Sequence, residues 1–283
     1  MRAYLLDTSA IRWAPCRKLA EKAQEHELLA SPFAFWEIAS HLGDPEDFGR
    51  IKANLVKFRH VELLQESTAE AEREIALAPV DIENSLEAPD VIYAMLAALD
   101  KSNSVDQLYM CRIRDSNGAV REIDGCVSRI QDIRMTGKRQ FREFIAKVIK
   151  LLQTRRVVLD TPRAFHDGTL DLTNGWWIQV KPRSDGSDES YRKLIKRGYF
   201  FYAYVLRRAA YYAEPNARTF DENDFEDAMQ LLHLTIDAEV TVVSSDDGLR
   251  TCLQETVQTL NGLNDDWYWT SVQVCDTGSF LSA

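Results

Sequence analysis

The run from Ala3 to Leu6, four apolar residues closed by Asp7 and followed by Thr8, Ser9 and an amphipathic stretch, constrains this chain more than any other segment. A short, continuous apolar run suits a parallel strand buried on both faces. Thr8 or Ser9 is then expected to cap a helix reaching about Glu25. Asp7 falls where a strand's carboxyl end meets a helix N-terminus, the usual location of sites in open α/β sheets. A plain turn aspartate fits the same local pattern, so its meaning depends on what else the chain brings to that end.

The same alternation continues on both sides of a less regular middle. Glu27–Ala30 reads as a short strand, and Ser31-Pro32 as a helix start with Ser as cap and Pro at the first helical position. Helices are expected over Pro45–Phe58 and from Ser67 onward, with a strand at Val61–Leu64. After Asp221, Phe225, Met229, Leu232 and Ile236 recur at helical spacing. The β-branched run Val240–Ser244, a helix from Leu249 to Leu260 and a last strand near Thr270–Val274 follow. In the middle, Ile92–Leu99, Lys138–Leu152 and Tyr191–Tyr212 are helical by periodicity. Leu159–Lys181 reads as a hairpin turning at Asn174-Gly175. The expected fold class is α/β with a mainly parallel sheet, interrupted by a mostly helical insertion.

Several function classes drop out. No apolar run approaches the ~20 residues of a membrane-spanning helix. An aspartate at position 7 leaves no room for a secretory leader, so a cytoplasmic protein is expected. Five scattered cysteines without a C-x-x-C pair argue against a disulfide framework and a zinc site. The five histidines lack metal spacing, and no phosphate-cradling glycine motif is present.

Carboxylates recur where a parallel sheet would gather them. Asp7 ends the first strand, and Glu37 lies in the apolar helix FAFWEIAS. Asp224 and Asp227 stand three apart on one helix, and Asp246 and Asp247 follow the strand VTVVSS. Clustered carboxylates without histidine or cysteine suit hard cations such as Mg²⁺ or Mn²⁺. Each acid also has a local reading. Asp224 can complement a helix dipole, Glu37 can face solvent, Asp246 can cap the next helix, and Asp247 can be a loop acid.

The net charge of -10 is unevenly spread. Between Arg134 and Arg156, eight Lys/Arg face one acid, and between Tyr191 and Arg208 six stand against none. Arg134, Lys138, Arg139, Arg142, Arg192, Lys193, Lys196 and Arg197 are the candidate phosphate contacts. Basic groups beside aromatic faces suit single-stranded RNA. The aromatics themselves are expected mostly to pack the insertion, Trp176 and Trp177 included.

Taken in order, LLDTSAI, the Glu of FWEIAS, the Asp-Ala of FEDAMQLL and VVSSDDGL resemble the acidic motifs of PIN-domain ribonucleases, among them the toxins of many bacterial toxin–antitoxin pairs. The family's Thr-x-Asp after the late strand stands here as Ser244-Ser245-Asp246. The resemblance covers about residues 1–75 and 218–280, with an intervening stretch far longer than toxin-type members carry. It implies a PIN-like three-layer α/β/α domain built from residues 1–78 and 218–283, with a mostly helical insertion over 79–217. It also implies Asp7, Glu37, Asp227 and Asp246 as catalytic acids holding Mg²⁺ or Mn²⁺, with Asp224 as an additional outer ligand. Thr8, Ser9 and Ser244 would order the carboxylates or a water, and the activity would be hydrolysis of RNA phosphodiesters. A small antitoxin-like protein and a second copy of the chain are the protein partners it leaves open. Two rivals remain. One is a catalytically silent PIN-like module that binds RNA or a protein through the insertion. The other is a haloacid-dehalogenase-type phosphatase, which would need an aspartate where Ser9 stands.

Overall fold

The structure is a computed structural model that describes residues 2–64, 89–115, 118–155, 159–214, 221, 223–263 and 268–282. The helix expected from Ser67 lies outside these residues. The chain opens as expected with β1 (Ala3–Leu6), whose last three residues are buried. Two short helices follow, α1 (Thr8–Trp13) and α2 (Cys16–Glu25), rather than one. Pro15 lacks the amide an uninterrupted helix would need, and Ala14 before it is extended. Then come β2 (Glu27–Ala30), α3 (Pro32–Ala39), α4 (Phe48–Leu55) with a 3-10 turn over Val56–His60, and β3 (Glu62–Leu63). Ser31 caps α3 as expected, accepting from the Phe33 amide at 3.2 Å.

The middle is dominated by long helices. After α5 (Pro89–Lys101) and α6 (Val105–Tyr109), a small antiparallel pair, β4 (Arg112–Arg114) and β5 (Val120–Glu122), leads into α7 (Ile123–Arg155). Next are α8 (Pro162–Val180) and α9 (Asp188–Tyr212). The hairpin expected over 159–181 is therefore a helix. Thr161 accepts from the Ala164 amide at 3.1 Å, with Pro162 behind it, the same start signal as Ser31-Pro32. Phe165, Thr169, Thr173 and Val180 then form a buried helical stripe that outweighs the Asn174-Gly175 turn signal. Asn174 is used in place, accepting from the Tyr191 hydroxyl at 2.7 Å.

The chain returns to the sheet through α10 (Asp224–Leu231), β6 (Val240–Val243), α11 (Asp247–Gly262), β7 (Gln273–Cys275) and α12 (Thr277–Ser282). Its five strands are all parallel, in the order β3-β2-β1-β6-β7. From β1 the early chain builds outward on one side, and the late chain enters on the other. The β1/β6 border is thus the topological switch point, where a crevice opens outside the carboxyl ends.

The helical middle is not a separate body. Its α9 packs on α7, α8, α10 and α11, and one hydrophobic core runs from Leu6 and Trp36 through Phe141 to Tyr199 and Phe200. Gly137 of α7 sits where a Cβ would fall onto the Phe225 ring, so α7 and α10 cross closely. Of the α9 aromatics, Tyr199, Phe200 and Tyr204 are buried, in keeping with a packing role. All five cysteines are free. No helix among the described residues is long and apolar enough to cross a membrane.

Candidate functional site

Asp7 leaves β1 in extended backbone and is itself the N-cap of α1, its Oδ1 accepting from the Ala10 amide at 2.6 Å. Thr8 and Ser9, expected as caps, lie inside the helix. The aspartate oxygen satisfies the free amide three residues on, which releases Ser9 to donate to both Asp7 oxygens at 2.9 Å. Thr8 Oγ1 is buried without a hydrogen-bond partner among the described residues. Across the switch point, Ser244 at the end of β6 donates to Asp7 Oδ2 at 2.6 Å. The Ser245 and Asp246 amides donate to Ser9 Oγ at 2.7 Å and Ser244 Oγ at 2.9 Å. Two serine hydroxyls thus tie the ends of β1 and β6 together and fix the Asp7 carboxylate.

Burial is the main force on Asp7 and pushes its pKa up to about 6. Hydrogen bonds from Ser244, Ala10 and Ser9 pull it down, and the Glu37 charge adds to the rise. Asp227, one turn into α10, is held well above the ordinary carboxylate range, first by burial and then by Asp7, Asp246, Glu37 and Asp224. The acids expected to converge are therefore within electrostatic reach of one another. Asp246 lies at the exposed rim, where it caps α11 by accepting from the Leu249 amide at 2.8 Å. Asp247 is exposed and pairs with Arg250.

The five candidate ligands divide into two groups. Glu37, buried on α3, pairs with Arg12 at 3.1 Å. Asp224, 2% exposed, accepts from Tyr204 at 2.9 Å and Tyr212 at 2.6 Å, and pairs with Arg208 at 2.8 Å. Among the described residues, Asp7, Asp227 and Asp246 have no basic partner. Asp227 is met by the Tyr204 hydroxyl at 3.2 Å. No three His, Cys, Asp or Glu among the described residues are gathered tightly enough to form a ready-made metal cage. The donors are nonetheless all oxygen and, among the described residues, Asp7, Asp227 and Asp246 face no basic group. That chemistry fits a hard cation bound through one or two carboxylates with waters completing its shell.

The candidate phosphate contacts also divide. Arg134 and Lys138 turn inward to Glu226, which is 1% exposed, with Arg134 Nη2 at 2.6 Å and Lys138 Nζ at 3.2 Å. Lys193 pairs with Glu189 and Lys196 with Asp237, while Arg197 is buried. Arg139, Arg142 and Arg192 are exposed. Sequence reasoning missed Glu226, although three acids at 224, 226 and 227 cannot share one helix face. It also missed Tyr204, Arg208 and Tyr212, whose four-residue spacing puts polar groups along one face of α9. Arg12 had no readable signal, because only the packing of α1 on α3 brings it to Glu37.

A half-buried histidine at the N-cap of α3 sets an acid limit. His233 shares a hydrogen bond of 3.0 Å with Ser31 Oγ, and burial, then the Arg197 charge, lowers its pKa to about 3. The unfolded side chain takes up a proton near pH 6.5 and the folded one does not, so stability present above that pH is lost as pH falls toward 3. The stability cost of His233→Gln, measured by urea unfolding near pH 7.5, is expected to shrink by about 1.4 kcal/mol per pH unit below about 6.5. A cost independent of pH would contradict this assignment.

The chain matches no protein-family model, no curated protein and no solved structure.

Proposed function

We propose that this protein is a Mg²⁺- or Mn²⁺-dependent ribonuclease of PIN-like fold that hydrolyses RNA phosphodiester bonds. The observation that carries this reading is that Asp7 and Asp246, which follow the carboxyl ends of β1 and β6, both act through their charges on Asp227 of α10, with no basic partner for the three among the described residues. Buried carboxylates under such repulsion are stable only when they take up a proton or share a cation. When bound, a divalent ion lowers the pKa of water and offsets charge on a phosphate. Asp7, fixed by Ser9 and Ser244, and Asp227, backed by Tyr204, would hold it. Asp246 would act from the rim, on the side open to substrate. Glu37 joins them if Arg12 is released, and Arg12, with 41% of its side chain exposed, is then free to contact a phosphate. Exposed Arg139, Arg142 and Arg192 on the inserted helices would meet the RNA backbone. A small antitoxin-like partner, a homodimer and a cytoplasmic location belong to the same reading.

The second reading, a silent RNA- or partner-binding module, draws on the Glu37–Arg12 and Asp224–Arg208 pairs, which neutralise two candidate ligands from within the chain. Cleavage of labelled single-stranded RNA separates the two. Wild type is expected to cut with MgCl₂ or MnCl₂ and to stop on chelation, and Asp227→Asn to lose on the order of 100-fold or more in rate. Intact RNA bound at unchanged affinity by wild type and Asp227→Asn would favour the silent module. Cleavage indifferent to chelator would overturn the metal-dependent reading.

A further inference from the structure

Resting on the metal-dependent reading above, we infer that Tyr204, supplied by the inserted helix α9, is the positioning residue for Asp227, fixing that carboxylate through its hydroxyl. Tyr204 is 2% exposed, and its Oη lies 3.2 Å from Asp227 Oδ2 and 2.9 Å from Asp224 Oδ1. Among the described residues it is the one side chain hydrogen-bonded to the Asp227 carboxylate.

Asp224 anchors the arrangement from behind. Its Oδ2 accepts from Tyr212 at 2.6 Å and its Oδ1 pairs with Arg208 Nε at 2.8 Å. Arg208 also donates to Tyr212 Oη at 2.6 Å, and so does the Asp221 amide at 2.9 Å. Asp224 thus keeps a hydroxyl and a guanidinium partner besides Tyr204, and it fixes where the Tyr204 oxygen sits. Positions 204, 208 and 212 share one face of α9, so a polar strip runs through an interface otherwise made of residues such as Phe200, Val205 and Phe225. Burying such groups is costly, and apolar side chains would join α9 to α10 at least as well. What the strip does that apolar packing cannot is orient a carboxylate. A hydrogen-bond partner behind a metal ligand typically contributes about 10–100-fold in metal affinity. The insertion is then part of the site's construction, because α10 alone gives Asp227 no such support.

Calorimetric titration of the full chain with MnCl₂ tests this, using wild type, Tyr204→Phe, Tyr212→Phe and Asp7→Asn. Tyr204→Phe is expected to weaken Mn²⁺ binding about 10-fold or more. Tyr212→Phe, which removes a hydroxyl shared by Asp224, Arg208 and the Asp221 amide but none that reaches Asp227, should leave Mn²⁺ affinity within about twofold of wild type, while Asp7→Asn should abolish binding. Wild-type affinity in Tyr204→Phe, with Asp7→Asn still inactive in binding, would overturn the role of Tyr204 and leave the metal reading standing. Equal weakening in both tyrosine variants would also overturn it, since loss of α9–α10 packing would then explain the effect. No Mn²⁺ binding by wild type would overturn the metal reading itself.

Discussion

On the metal-dependent reading proposed above, Asp7→Asn is expected to raise the metal-free melting temperature near pH 8 and to abolish the stabilisation expected of MnCl₂ on wild type. Both effects come from one carboxylate. Asparagine can still cap α1 by accepting from the Ala10 amide, so the helix start survives. What disappears is a buried negative charge. In the folded protein the Asp7 pKa stands at about 6, above its unfolded value, so the stability its protonation contributes is present at low pH and lost as pH rises through about 6. Near pH 8 the ionised form costs at most about 3 kcal/mol, and the loss of charge-assisted bonds from Ser244 and Ser9 leaves a net gain of about 1–2 kcal/mol in the variant. Metal reverses the order, because binding needs the ionised acid. Under the proposed reading, Mn²⁺ at about 100 times its dissociation constant would add ~2.7 kcal/mol to wild type and nothing to the variant. Calorimetric scans with and without MnCl₂ measure both. A destabilised Asp7→Asn that keeps its Mn²⁺ shift would contradict the account, and near pH 5 the metal-free difference should fade.

Arg134→Ala costs about 3 kcal/mol or more in unfolding free energy, the largest stability effect expected of any basic residue in the inserted helices. Arg134 is the principal partner of Glu226 Oε1, with Nε at 2.9 Å and Nη2 at 2.6 Å, and also approaches Ser40 Oγ on the α3 side. Truncation leaves a carboxylate that is 1% exposed with Lys138 alone at 3.2 Å. Burial already raises the Glu226 pKa against the pull of these two cations, so removing one pushes it higher. Replacing both partners, as Arg134→Met with Glu226→Leu, should recover most of the loss, because no charge is then stranded. Urea unfolding of the single and double variants measures the difference. A single variant as stable as wild type, with weakened RNA binding, would return Arg134 to the role of a phosphate contact.

The ends of this chain were readable because their signals are local. A four-residue apolar run, a Ser-Pro start and a β-branched run before Ser-Ser-Asp are each sufficient to place a strand or helix boundary, and β1, β2, α3 and β6 lie where those residues put them. Strand direction then brings Asp7 and Asp246 to neighbouring loops, since β1 and β6 pair in parallel from Ala3–Val240 to Leu6–Val243. Two misreadings have local causes as well. Pro15 divides the first helix, and Thr161-Pro162 starts a helix that Asn174-Gly175 cannot stop, because the buried face of α8 against α9 stabilises it more than one glycine weakens it. The ion pairs were not readable. Arg12 with Glu37, Arg134 with Glu226 and Arg208 with Asp224 join residues between 16 and 92 positions apart, through helix crossings that no periodicity encodes. Basic runs in the sequence therefore overstated the free positive surface of the inserted helices.

The most direct test is anomalous diffraction from a crystal of the wild-type protein soaked in MnCl₂ near pH 8. The account predicts a manganese peak between the Asp7 and Asp227 carboxylates at the β1/β6 border, absent from Asp7→Asn crystals soaked alike. Well-ordered Asp7 and Asp227 with no manganese peak beside them would contradict it.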